Sequence, residues 1–235
     1  MLRSIATEQT WIESLRGVKD WLAEQKPTVV VAPHPDDETL GAGGLIAMQR
    51  SRQIPVKLLA VTDGEAAYPN MPDLGRTRKR EQTRAAEALG LPSDAIIRLG
   101  LPDSAVAESE ALLTDRIATS IDSDTLLVSP WQHDPHPDHE ACGRAAAAAA
   151  VRTGATLVSY LFWAWHRLRP EGLRGLPLRR LMLSADARSR RAGALACHRS
   201  QLYRDDGQAI LPELFLAPAR RPFETFIVHG DQHCF

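Results

Sequence analysis

Two short clusters of the sequence carry histidines and carboxylates at spacings that suit chemistry. The first is His34-Pro35-Asp36-Asp37-Glu38; the second, about a hundred residues on, is His133-Asp134-Pro135-His136-Pro137-Asp138-His139. An imidazole and three carboxylates in one turn are costly to assemble unless a cation or a reaction needs them. His34 and Asp37 are three apart, as are His136 and His139, and such pairs point the same way from a turn or a first helical turn. Two histidines and one carboxylate make a common catalytic zinc set that leaves a fourth position for water. A divalent metal lowers the pKa of that water from 15.7 to about 7. A nearby carboxylate that is not a ligand can take its proton, typically worth about 10²–10⁴ in rate. A spare histidine can stabilise an oxyanion or protonate a leaving group. Spacing alone leaves open which carboxylate binds and which acts as base. The expectation is that the two clusters meet at one divalent metal.

The elements that position these groups follow from pattern. Val29, Val30 and Val31 have the composition of a strand buried on both faces, expected over 28–32, and Pro33 and Pro35 then stop both strand pairing and helix. Further strands are expected over 56–61, 96–99 and 125–129, alternating with helices over 38–52, 78–89 and 112–121. Gly90 is read as a C′ glycine. An alanine-rich helix follows over 140–152, with Ala145 to Ala150 unbroken. Beyond Gly154 the pattern loosens: strands are read over 156–165 and 225–228, a helix over 187–202, and 168–183 as the irregular or mobile part. Trp163 and Trp165 then alternate along a strand-like run, one as core and one at a rim. The alternation predicts an α/β fold, a single Rossmann-like domain over 1–235 with a mostly parallel sheet flanked by helices. Both polar clusters begin where an expected strand ends, and such sheets bind ligands at the carboxyl ends of their strands.

Composition narrows the function classes. With 235 residues, 44% hydrophobic and 24% charged, the chain is an ordinary globular sequence, and a net charge of −1 gives no reason to expect nucleic acid or a membrane surface as partner. Positive charge is uneven: Arg167, Arg169, Arg174, Arg179, Arg180, Arg188, Arg190 and Arg191 crowd one region. That run reads as a solvated face, with a lid over an anionic substrate as the second reading. Cys142, Cys197 and Cys234 are odd in number and far apart, so no disulfide framework is expected, in keeping with a reducing compartment. The first twenty-five residues carry an amphipathic helical pattern (Trp11, Ile12, Leu15, Val18, Trp21, Leu22) without the apolar core of a signal peptide. No apolar run approaches the roughly eighteen residues of a membrane span. The expectation is a cytoplasmic protein; its oligomeric state is unreadable, and a homo-oligomer is compatible with it.

Ala32-Pro33-His34-Pro35-Asp36-Asp37-Glu38, taken with His136-Pro137-Asp138-His139, closely resembles the LmbE-like, or PIG-L-type, zinc-dependent N-deacetylases. The resemblance extends more weakly through Arg78-Lys79-Arg80-Glu81, Leu101-Pro102-Asp103 and His198-Arg199-Ser200-Gln201. It implies zinc, one per chain, on His34, Asp37 and His139, with Asp36 as general base and His136 assisting the tetrahedral intermediate. It also implies removal of an N-acetyl or N-acyl group from a small amino-sugar conjugate. Asp138 is expected behind a histidine or as a helix cap, and Asp63, Arg80 and Asp134 are candidates for substrate contact. Two departures are visible. Pro33 replaces a usual alanine, and Asp134 stands where some members carry a mobile tyrosine, leaving its role to Asp134 or His133. Glu38 is assigned to the helix dipole, and His166, His229 and His233 carry no motif.

Rival readings come from different classes. Gly41-Ala42-Gly43-Gly44 with Asp63 about twenty residues on mimics a dinucleotide fingerprint. These glycines fall inside the expected helix, and Ile46 occupies the last glycine position, so close helix-to-sheet packing is the better account. A metal-binding module without catalysis and a two-metal phosphoesterase are further rivals on the same fold. Iron or another divalent ion suits the same donors.

Overall fold

The computed structural model describes residues 4–68, 71–203 and 210–229; the expectations for His233 and Cys234 lie outside these. Its strands are β1 (Thr28–Ala32), β2 (Val56–Ala60), β3 (Ile96–Arg98), β4 (Leu126–Pro130), β5 (Thr156–Tyr160), β6 (Leu178–Met182) and β7 (Phe223–Val228). Its α-helices are α1 (Glu8–Ser14), α2 (Asp37–Ser51), α3 (Leu74–Ala88), α4 (Glu110–Ala118), α5 (Pro137–Thr153), α6 (Ala164–Arg167), α7 (Ala185–Leu195), α8 (Arg199–Leu202) and α9 (Glu213–Leu216). The seven strands form one sheet in the order β3-β2-β1-β4-β5-β7-β6. The first five run parallel, and β7 and then β6 close one side antiparallel. This is the single, mostly parallel α/β domain that the alternation predicts.

Successive residues of a strand face opposite ways, and β1 shows the result. Val30 joins a core with Leu45 of α2, Leu89 and Ala187 of α7. Val29 and Val31 join a second core with Leu113 and Ile117 of α4 and the alanines of α5. Burial on both faces explains why the strand reads as an unbroken apolar run. After β1 the chain steps to β2 and β3 on one side, then returns to β4 and β5 on the other. The carboxyl ends of β1 and β4 therefore flank the switch point, where such sheets leave a crevice.

Three glycine positions set how closely helices approach. A Cβ on Gly41 would lie 2.3 Å from the Tyr160 ring, and one on Gly44 would lie 2.5 Å from Leu183. These glycines seat α2 against its neighbours and do not form a phosphate turn, which removes the dinucleotide reading. On α5, a Cβ on Gly143 would lie 2.5 Å from both N and Cα of Gln132, so this helix sits directly on the chain leaving β4.

Three expectations are corrected. The N-terminal helix ends at Ser14, after which Trp21 N donates to Arg180 O alongside β6 and Leu22 is exposed. The strand over 156–165 stops at Tyr160, and Trp163 and Trp165 belong to a turn and to α6. Segment 168–183 contains β6, an edge strand whose arginines a sheet centre would not accept. Among the described residues no helix is long and apolar enough to cross a membrane.

His166 of α6, which carries no motif, is 1% exposed, with its ring stacked on Phe215 at 3.9 Å. Burial, then the charges of Arg221 and Arg167, pushes its pKa down to about 3. The unfolded chain protonates this ring below about 6.5, whereas the folded chain resists protonation. Stability from this group is therefore full above pH ~6.5 and is lost as pH falls toward about 3. Between about pH 6 and 4, His166→Gln should make the loss of unfolding free energy shallower by about 1.4 kcal/mol per pH unit, read from urea titrations. An unchanged slope would mean that the folded protein already carries the proton.

Candidate active site

The turn after β1 and the turn after β4 meet because β1 and β4 pair in parallel, with Thr28 opposite Leu126 and Val30 opposite Val128. Asp36 precedes α2 and Asp37 is its first residue, where a carboxylate favours the helix dipole. Asp37 Oδ2 accepts from His34 N at 2.9 Å and closes the turn. His136 is the N-cap of α5 and Pro137 opens the helix, a position that suits proline's fixed φ. His139, one turn inside, is fully buried.

One carboxylate oxygen gathers the candidate ligands. Asp37 Oδ2 lies 3.2 Å from His34 Nδ1 and 3.2 Å from His139 Nε2. The ligand atoms of these three residues lie within 4.8 Å of one another. His139 Nε2 is buried without a hydrogen-bond partner, an expense that a cation at this point removes. The far nitrogens are also provided for. His139 Nδ1 meets Asp134 Oδ2 at 2.8 Å, while His34 Nε2 lies 3.1 Å from Asp138 Oδ2 and 3.3 Å from Asp103 Oδ1. A carboxylate behind each histidine is the support that metal-binding imidazoles usually have. The residues present therefore fit a divalent metal on His34, Asp37 and His139.

His34, His136 and Asp138 form a second group with ligand-like spacing. Its carboxylate is committed elsewhere: Asp138 Oδ2 accepts from Ser104 N at 2.9 Å and Oδ1 from Val106 N at 3.2 Å. His136 Nδ1 accepts from Asp138 N at 3.3 Å. These commitments favour one metal over two.

Electrostatics separate the two adjacent aspartates. Burial, then the charge of Asp37, raises Asp36 to about 7, which a cation on the neighbouring ligands would oppose. Burial also disfavours ionised Asp37, but His139 and His34 outweigh it and hold that carboxyl far below the usual range. Burial, then His139 and His34, lowers His136 to about 4. A neutral His136 whose Nδ1 accepts a backbone N–H carries its proton on Nε2.

A cavity of about 260 Å³ opens over these groups, lined among others by His34, Asp36, Asp37 and His136. Four sequence candidates lie elsewhere. Asp63 pairs with Lys79 at 2.9 Å and does not line the cavity. Arg80 is exposed on the outer face of α3; Arg78, two residues earlier, is buried, donates to Gly64 O at 2.8 Å and does line the cavity. Asp134 is fully buried behind His139 and accepts from Phe162, Trp163 and Ala164 N at 3.3, 3.1 and 2.7 Å. It cannot fill the place of a mobile tyrosine. His133 meets Trp131 edge-on at 5.3 Å and does not line the cavity. Trp163 lines the cavity and Trp165 is core, the division expected of the pair, while Asp103 and Gln201 are wall residues that carried no site role in the sequence; the short segments around Asp103 and Gln201 were the available signal. Asp134→Asn should weaken metal binding by about 10–100-fold without changing a ligand, read by competition with a chelator, and undiminished affinity would remove Asp134 from that role.

The family profile PIG-L, GlcNAc-PI de-N-acetylase, matches residues 29–150. A probable N-acetyl-alpha-D-glucosaminyl L-malate deacetylase 2 of Bacillus subtilis (strain 168) is 35% identical over 135 residues, which is 53% of this chain and 60% of that protein. Diacetylchitobiose deacetylase of Thermococcus kodakarensis is 29% identical over 126 residues, 50% of this chain and 46% of that one. The chain thus spans less than two thirds of either relative. The A40926 pseudoaglycone deacetylase Dbv21 shares the fold with a TM-score of 0.66 at 22% identity, over 87% of this chain and 97% of its own. With more than half of its residues matched by the profile, the chain belongs to the PIG-L family.

Proposed function

We propose that the protein is a zinc-dependent N-deacetylase that removes an acetyl or acyl group from the nitrogen of a small amino-sugar conjugate. The observation that carries this reading is Asp36, a buried carboxylate outside the ligand group yet lining the cavity beside it. A module that only held a metal would have no use for it. When bound on His34, Asp37 and His139, the metal supplies Lewis acidity and makes a water acidic enough to ionise near neutral pH. Asp36 takes a proton from the attacking water as its oxygen bonds to the acyl carbon. His136 Nε2–H faces the growing charge on the carbonyl oxygen as a hydrogen-bond donor. Asp36 then returns the proton to the departing nitrogen as the C–N bond breaks, leaving a carboxylate and a free amine. The names of the relatives support an amino sugar, since those proteins act on N-acetylglucosaminyl malate and diacetylchitobiose.

The reading is tested by metal content on purified protein, followed by acetate release from a panel of N-acetylglucosaminyl compounds with and without chelator. About one zinc per chain with chelator-sensitive release is expected. The absence of both bound metal and activity on added zinc would overturn it.

A further inference from the structure

Asp36 has φ 140° and ψ −23°, a backbone conformation that L residues rarely adopt and that persists only where the surroundings over-determine it. Rotation φ turns the Asp36 side chain relative to the Pro35–Asp36 peptide plane, and that plane is held at both ends. Its carbonyl, Pro35 O, accepts from Gln201 Nε2. Its N–H donates to Glu38 Oε2 at 3.4 Å.

Both holders are themselves anchored. Glu38 is fully buried; its Oε2 also accepts from Gln82 Nε2 at 3.0 Å and its Oε1 from Thr39 Oγ1 at 3.0 Å, with His198 Nε2 3.4 Å away. Gln201 is carried by α8, which Ser200 ties to α3 by donating from N and Oγ to Glu81 at 2.9 and 2.6 Å. On the other side of Asp36, its own carbonyl accepts from Thr39 N and Leu40 N at 2.9 and 2.8 Å as α2 begins. With both flanking peptide planes fixed, the direction of the Asp36 Cβ is fixed too.

We propose that Gln201 and Glu38 form a clamp on the Pro35–Asp36 peptide that aims the Asp36 carboxylate into the cavity. They are positioning residues for the base, and this rests on the reading of Asp36 given above. The clamp also gives the His198-Arg199-Ser200-Gln201 segment a part in the reaction although it lies more than 160 residues from Asp36 in sequence.

The test uses full-length protein and Gln201→Leu, which keeps bulk and removes the donor. Turnover should fall by about 10–100-fold, the scale of a small misplacement of a reacting group, with metal content unchanged. In an Asp36→Asn background the same change should cost nothing further, because what it aims is gone. A general loss of structure would instead multiply with Asp36→Asn and overturn the clamp, as would unchanged turnover in the single variant.

Stability supplies a readout separate from catalysis. With the clamp intact, Asp36→Gly should melt about 2–5 °C above Asp36→Asn, because glycine accepts this φ at less cost. The gap should close when Gln201→Leu is added. Equal melting temperatures with the clamp intact would overturn the proposal even if Gln201→Leu failed to fold. Absence of deacetylation in the wild type would end the reading of the base and leave the melting comparison to decide the clamp.

Discussion

Asp36→Asn is expected to keep its metal and lose about 10²–10⁴ in turnover. Asparagine has nearly the same shape, so the turn and the cavity wall remain, but an amide cannot take a proton from water near neutral pH. The loss should appear in kcat, because proton removal belongs to the transition state and not to substrate binding. Asp36 lies outside the ligand group, whereas its neighbour Asp37 lies inside it, so the variant separates the roles of two adjacent aspartates. Metal content and steady-state rates on one preparation decide the matter. Near-wild-type turnover would remove Asp36 from the base role.

His139→Ala is expected to do the opposite and empty the site. One of the three proposed ligands is lost, and with it the imidazole that pairs with Asp134. Asp134 remains fully buried but keeps its three backbone donors from 162–164. The added cost in stability should therefore stay near about 1–3 kcal/mol, the range for a buried polar group that loses a partner. Metal per chain should fall from about one toward zero, and turnover with it. Full metal content in this variant would overturn the ligand assignment, whatever happened to the rate.

The parts of the site nearest in sequence were the legible ones. A strand, a proline-bounded turn and a helix recur around His34 and around His139, and the prolines leave the chain few ways to arrange them. What stayed hidden depends on which face of an element packs inward. Arg78 and Arg80 sit two apart on α3, nearly opposite each other around the helix, and only the packing of α3 chooses between them. Asp134 reads as one more polar turn residue, because its backbone donors come from about thirty residues away. The aromatic alternation around Trp163 has the period of a strand, yet a turn and a single turn of helix satisfy it equally well. β6 is hard to read from sequence because arginines on an edge strand look like a charged loop.

Gly143 has no group that can bind, titrate or react, yet it stands one helical turn beyond His139 on α5, with the Gln132 backbone where its side chain would be. The spacing of a candidate metal ligand is thus set by an absent methyl group, through the distance at which a helix rests on the chain beside it. Tolerance at the metal site is in this sense a property of backbone contact. A survey that changed only ionisable residues would map every reactive group here and overlook the position that spaces them.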